Sequence, residues 1–306
     1  MISEDIYSMS TVITVSVPRN SENADELIAK AKELIYSIEN SESVNINNSD
    51  IAKFNKSENG IEGVCEDTKS ILTTALDLAD KTKGAFNPCI GTLSSLWNIT
   101  GENPTVPSDN SIKEAHSHTD YNSVLISGNM LLKSDSALKI DTGGITKGYA
   151  LQKTVELLSQ SAEYGTVSFG GNVGVFGKKP DGAKWKVGIK NPFDTSKEIG
   201  YIRIDDGYIA VSGDYERYFE ENGIRYHHIL DPETGYPVDN GVHSVAVYAK
   251  DATLGDALST ALFVMGYEKG VEFYRSGIYD FEALFITDDG VFTTDKLDYH
   301  GEADQE

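Results

Sequence analysis

No C-x-x-C pair, no G-x-x-x-x-G-K-[ST] loop, no G-x-S-x-G elbow and no helix-opening G-x-G-x-x-G occurs in this chain. Thioredoxin-like redox chemistry, P-loop hydrolysis, serine hydrolysis and Rossmann dinucleotide binding therefore lose their usual sequence support. The two cysteines, Cys65 and Cys89, have no histidines at zinc spacing and are expected to be buried or half-buried thiols. Basic residues are scarce as well: 26 Lys and Arg stand against 48 Asp and Glu, a formal charge of −22. Such a surface repels phosphate, which argues against nucleic acid and anionic membranes as partners. No run approaches the roughly 18 apolar residues of a membrane span, and the N-terminus lacks the basic start and apolar centre of a signal peptide. That pattern suits a cytosolic protein or a chain that follows a removed leader.

What is present is a long chain of 306 residues, 39% of them hydrophobic, enough for one large core or two interlocked halves. Thr11–Val17 alternates like a strand, and apolar residues at helical spacing follow from Ala24 to Ile38, with Asn23 and Glu26 placed for a capping box. Residues 39–60 and 98–120 read as polar loops on either side of a helix over 67–83 that Gly84 stops. His116 and His118 lie in the second loop as an exposed pair with no metal expected. Further strands are expected at 123–126, 131–133 and 138–140, the last leading into a helix that ends near Ser159. Residues 167–176 read as a strand broken at Gly170-Gly171 by a bulge or by a backbone pressed against a neighbour, and 201–204 with 208–211 as a hairpin. An apolar helix over 254–265, a hairpin around Asp288-Asp289-Gly290 and a fraying end at 301–306 complete the pattern. Strands and helices alternate irregularly, which indicates an α+β or mixed α/β class.

Three stretches could carry chemistry. The first, Lys139 to Ala150, reads K-I-D-T-G-G-I-T-K-G-Y-A. It places Asp141, a glycine pair and Lys147 where a strand gives way to a helix, and free helix N–H groups there suit an anion. Taken alone it is equally a connector before an ordinary amphipathic helix. In the second, Asp256, Ser259 and Thr260 project from one face of the apolar helix. Oxygen-only donors suit a hard cation such as Mg²⁺, although the two hydroxyls could instead bond back to carbonyls one turn earlier. In the third, His228 and Asp231 precede a proline-led turn and could orient or deprotonate a hydroxyl, or simply be hydrogen-bonded in the core.

These stretches belong to a longer ordered set over residues 9–294: Met9-Ser10-Thr11-Val12, Asp50-Ile51-Ala52-Lys53-Phe54-Asn55, Gly84-Ala85-Phe86-Asn87-Pro88, Asp141-Thr142-Gly143-Gly144-Ile145-Thr146-Lys147-Gly148-Tyr149, Gly170-Gly171-Asn172, Ser212-Gly213-Asp214-Tyr215, His228-Ile229-Leu230-Asp231-Pro232-Glu233-Thr234-Gly235 and Asp256-Ala257-Leu258-Ser259-Thr260. In that order they resemble the bacterial ApbE family of FAD:protein FMN transferases. The resemblance implies one domain over residues 9–296. Residues 1–8 and 297–306 would then be tails. Its fold would be T-fold-like, with interlocked sheet-and-helix halves and a ligand cleft between them. It implies FAD as substrate, Mg²⁺ beside its diphosphate, and transfer of FMN to a threonine hydroxyl of an acceptor protein, such as a redox-pump or electron-transfer subunit, with AMP released. Carried across, the metal ligands would be Asp256, Thr260, the Gly144 carbonyl and Ser259. Met9, Ala85, Phe86, Asn87, Asp141, Lys147 and Leu230 would contact the flavin nucleotide. His228 is the first candidate to guide or deprotonate the acceptor hydroxyl, and Asp231 the second. The same site with water as nucleophile would be an FAD pyrophosphatase, and without chemistry a flavin carrier. Family members are commonly exported and membrane-anchored; a cytoplasmic setting stays open.

Overall fold

The computed structural model describes residues 1–301. Residues 1–8, expected as a tail, supply β1 (Ile2–Ser8), which pairs antiparallel with β2 (Thr11–Val17). Helix α1 (Ala24–Glu42) starts where expected, but Asn23 sits in the left-handed region and its side chain makes no cap, so the capping box does not form. The helix also runs one turn into the anticipated loop, which holds a second short helix, α2 (Asp50–Lys56), capped by Ser49. Next come β3 (Gly60–Glu62), α3 (Glu66–Lys81), α4 (Gly91–Trp97) and α5 (Asp109–His116). The last occupies the other expected loop, with Ser108 as its cap.

Strands β4 (Val124–Ser127) and β5 (Met130–Lys133) join β3 in a small sheet, and α6 (Thr146–Leu158) follows. Residues 138–140 belong to no strand among the described residues. The Asn55 side chain holds Ile140 instead, accepting its N–H at 2.7 Å and donating to its carbonyl at 2.8 Å.

The glycine pair 170–171 is no bulge but the turn of a hairpin between β6 (Gly165–Phe169) and β7 (Asn172–Phe176), with Gly170 at φ 65°. The hairpin expected between β9 (Asp194–Ile204) and β10 (Gly207–Gly213) does not form either. Strand β9 pairs with β8 (Trp185–Asn191) and with β16 (Tyr299–Gly301), whereas β10 enters the main sheet. The remaining elements are β11 (Tyr218–Glu221), β12 (Ile224–His227), β13 (Val242–Ala249), α7 (Ala252–Arg275), β14 (Glu282–Thr287) and β15 (Gly290–Thr293). Helix α7 breaks at Gly266 (φ 77°), one residue past the expected end. Of the expected C-terminal tail, 299–301 pair in β16, and 302–306 lie outside the described residues.

The architecture is α+β, as expected. One antiparallel sheet of eight strands, ordered β1-β2-β6-β7-β10-β13-β14-β15, forms its centre. Helices α1, α6 and α7 bury one face of it, and the β8–β9–β16 sheet covers part of the other. This double covering explains why β14 is buried along its whole length rather than on alternate residues.

One core contact has a measurable pH consequence. Glu42 is buried at the end of α1, where Thr68 donates to one carboxyl oxygen and the other has no partner among the described residues. Burial, with Asp50 and Asp67 close by, pushes its pKa up to about 7 despite that bond. The native state thus keeps a proton that the unfolded chain releases near pH 4.5. Stability falls as pH rises between those two values and is level above them. Glu42→Gln is expected to flatten this slope and to stabilise the protein at alkaline pH by on the order of 2 kcal/mol, read by denaturant unfolding on both sides of neutrality.

Candidate functional site

A cleft of about 670 Å³ opens between the start of α6, the start of α4, the end of β10 and the chain on either side of the β11–β12 hairpin. Its floor is made where α6 and α7 cross. The backbones come so close at Gly148 that a Cβ there would lie 2.2 Å from the Ala252 carbonyl oxygen and 2.5 Å from the Asp256 Cβ. Only glycine permits that approach.

The crossing lets Asp256 reach the N-terminus of α6. One carboxylate oxygen accepts the Gly148 N–H at 2.8 Å, and the other accepts the Asn172 side-chain amide at 2.8 Å. Asn172 is fixed in turn by the Val211 N–H at 3.1 Å. One of the helix N–H groups expected to face an anion, that of Gly148, is therefore taken by a protein carboxylate. Ile145, at the cap position of α6, contributes no side-chain bond, so Asp256 caps this helix from a different one. Because Gly148 donates to Asp256, its ordinary partner one turn back, the Gly144 carbonyl, receives no backbone hydrogen bond among the described residues. Gly144 itself presses on α7: a Cβ there would stand 3.2 Å from the Thr260 hydroxyl oxygen and 3.3 Å from the Phe86 ring. Neither Gly143 nor Gly144 has positive φ, so close approach and not turn geometry explains Gly144.

Asp256, Thr260 and Gly144 thus line one patch of the cleft. Among the described residues no group of three His, Cys, Asp or Glu could hold a metal, so a nitrogen- or sulfur-rich centre is not built here. The patch offers one carboxylate, one hydroxyl and one unused carbonyl, a donor set that fits a hard divalent cation. Ser259 is fully buried and outside the lining, and its hydroxyl bonds the Asp256 carbonyl at 2.8 Å.

Ala85, Phe86, Asn87, Asp141, Lys147, His228 and Leu230 all line the cleft. Met9 does not. It turns at φ 50° with its N–H on Glu39 at 2.8 Å, and the neighbouring Ser10 lines the cleft instead. Asp231 is also outside the lining, because its carboxylate holds its own turn through the Glu233 N–H at 2.9 Å and the Thr234 hydroxyl at 3.1 Å. His116 and His118 point to separate partners, the Pro232 carbonyl and Asp135.

Four residues of the site carried no role in the sequence reading: Asn172, Ser212, Glu216 and Arg217. The first two lay within recognised motifs. Arg217 had one available signal, a cation just after the Ser212-Gly213-Asp214-Tyr215 motif in a chain poor in cations. In this acidic protein the cleft lining holds slightly more bases than acids, with Lys56, Lys139, Lys147 and Arg217 against Asp141, Glu216 and Asp256. His228 sits among them with its N–H on the Arg217 carbonyl at 3.0 Å and its Nδ1 buried without a partner among the described residues. Burial, with Lys147, Arg217 and His227 adding positive charge, pushes its pKa down to about 3, so the imidazole is neutral. His227 turns away, its Nε2 on the Val238 carbonyl at 2.8 Å.

Known proteins share this arrangement of chain. The ApbE protein of Thermotoga maritima superposes with a TM-score of 0.88 at 37% identity, over 96% of this chain and 97% of that one. The flavin transferase ApbE of Vibrio cholerae does so at 0.84 and 28% identity, over 96% of each chain. In sequence, an FAD:protein FMN transferase of Treponema pallidum is 36% identical over 239 residues, which span 72% of this chain and 65% of the relative. A Vibrio cholerae relative of the same name is 33% identical over 247 residues, 79% of this chain and 74% of its own length. A sequence model of the ApbE family matches residues 9–285, a span that holds every cleft residue described above, and this chain belongs to that family.

Proposed function

We propose that the protein transfers the FMN half of FAD to a threonine hydroxyl of an acceptor protein. The observation that carries this reading is the junction of Gly144, Asp256 and Thr260 in a cleft also lined by Lys56, Lys139, Lys147 and Arg217, within a strongly acidic protein. Relatives named FAD:protein FMN transferase support it. In the reaction the threonine oxygen attacks the phosphorus on the riboflavin side of the diphosphate. The bond from that phosphorus to the bridging oxygen breaks, and AMP leaves with that oxygen. Lys147 and Arg217 supply fixed positive charge where negative charge builds on the leaving phosphate. His228 stands ready to take the hydroxyl proton. The residues that would hold Mg²⁺ are Asp256, Thr260 and the Gly144 carbonyl; bound there, the ion would neutralise diphosphate charge and polarise the phosphorus. We also propose that the activity lies outside the cytoplasm on a membrane-anchored form, which fractionation of native cells tests.

The decisive assay incubates the protein with FAD and Mg²⁺, with and without a domain carrying an acceptor threonine, and follows FMN, AMP and in-gel flavin fluorescence. Labelled acceptor with stoichiometric AMP is expected. Free FMN with unlabelled acceptor would replace transfer by hydrolysis, and tight FAD binding without turnover would leave a carrier.

The pH profile provides a separate check. In the free protein burial pushes the His228 imidazole far below its ordinary value, so kcat/KM should show no inflection from it between about pH 5 and pH 8. A bound dianion offsets Lys147 and Arg217 and favours the imidazolium, which raises the pKa. The acid limb of kcat should therefore lie above that of kcat/KM and vanish in His228→Ala.

A further inference from the structure

Three hydroxyls meet beside the oxygen patch, and their protons can be counted. Ser259 donates to the Asp256 carbonyl at 2.8 Å, and since a carbonyl only accepts, this uses the one proton Ser259 has. The Ser212 and Ser259 hydroxyl oxygens are 2.7 Å apart, so Ser212 must be the donor of that bond. Ser212 then has no proton left for the Thr260 hydroxyl, 3.2 Å away, and Thr260 must donate to it. The chain runs one way: Thr260 to Ser212 to Ser259 to the carbonyl of Asp256.

The direction has a consequence for the cleft. The Thr260 proton points to Ser212, and the lone pairs of its oxygen are left for whatever binds beside Gly144. The same stretch of β10 fixes the other donor, since the Val211 N–H holds Asn172, which holds Asp256. Both donors around Asp256, the Gly148 N–H and the Asn172 amide, likewise spend their hydrogens on its carboxylate.

We propose that Ser212 and Ser259 are positioning residues that hold the Thr260 hydroxyl proton away from the cleft, making Thr260 an oxygen donor for a divalent cation. The inference rests on the cation-assisted reading above and gives Ser259 an anchoring part in place of direct ligation. It explains why Ser259 is fully buried outside the cleft lining, a poor place for a ligand.

The test titrates Mn²⁺ alone into the full chain and reads bound ion by electron paramagnetic resonance, with no FAD and no turnover. Ser212→Ala is expected to weaken Mn²⁺ binding about 10-fold, the usual scale for losing a group that orients a ligand. Ser212→Thr, which keeps the hydroxyl, should bind as the unmodified protein does. Ser259→Ala frees the Ser212 proton to turn on Thr260 and should weaken binding in the same direction, providing a second variant should Ser212→Ala fail to fold. In a Thr260→Val background, Ser212→Ala should add no further loss, because it acts only through Thr260. Unchanged binding in both serine variants, or an equal loss in the Thr260→Val background, overturns the proton chain while leaving the cation site intact. Absence of Mn²⁺ binding by the unmodified protein overturns the cation reading itself, and this inference with it.

Discussion

Asp256→Asn is expected to lower FAD turnover by at least about 100-fold on the cation-assisted reading proposed above, in which Asp256 is a ligand and not merely a group behind one. The change is nearly isosteric, so its effect comes from hydrogen-bond sign and lost charge and not from packing. Both oxygens of Asp256 accept, one from the Gly148 N–H and one from the Asn172 amide. An asparagine must turn its own NH₂ toward one of them, leaving two donors face to face in a buried site. That conflict, with the loss of negative charge at the start of α6, should cost on the order of 3 kcal/mol of stability. Two measurements separate the effects. Unfolding reports the cost to the fold, and Mn²⁺ titration of the folded variant reports the lost ligand. Full turnover in folded Asp256→Asn would remove this residue from the mechanism.

Gly148→Ala should act on the same carboxylate by displacement. In an exposed helix interior, alanine is favoured over glycine by about 1 kcal/mol. Here the added methyl would meet the Ala252 carbonyl oxygen at 2.2 Å and the Asp256 Cβ at 2.5 Å, and the first of these is backbone that cannot rotate aside. Helices α6 and α7 must separate, and overpacking of this kind costs about 3 kcal/mol, which outweighs the propensity gain. Separation also lengthens the Gly148 to Asp256 bond and pulls Asp256 and Thr260 away from Gly144. The expected result is a markedly lower unfolding midpoint together with loss of FMN transfer. A variant with unchanged midpoint and activity would show that the helix contact is looser than the structure indicates.

The sequence alone made the second stretch legible because the spacing of Asp256 and Thr260 is that of one helical turn. It could not separate them from Ser259, whose hydroxyl fits a ligand role and a back-bond equally well until its partners are known. The part of Asn172 was hidden for a different reason. Its contact with Asp256 spans 84 residues, and no local pattern encodes a partner that far away. Short elements were lost to weak patterning: α2 has seven residues, and α5 buries only Ile112. Strand β1 was obscured by the two acids and two serines of ISEDIYS. The pairing of β9 with β10 failed because alternation marks a strand but carries nothing about which neighbour it takes. The cleft residues near Ala85 and Lys147, by contrast, were found through the order of the motifs, which reflects the chain path as a whole.

The crossing of α6 and α7 also sets an order of events during synthesis. The chain that builds β1, α1 and most of the cleft wall leaves the ribosome well before α7, and the sheet positions of β13 and β14 are filled only at the end. Until Asp256 arrives, the start of α6 has no cap and the oxygen patch does not exist. A nascent or C-terminally truncated chain lacking α7 would therefore display basic cleft residues without the carboxylate that caps α6, and the divalent-cation binding proposed above should appear late and in one step.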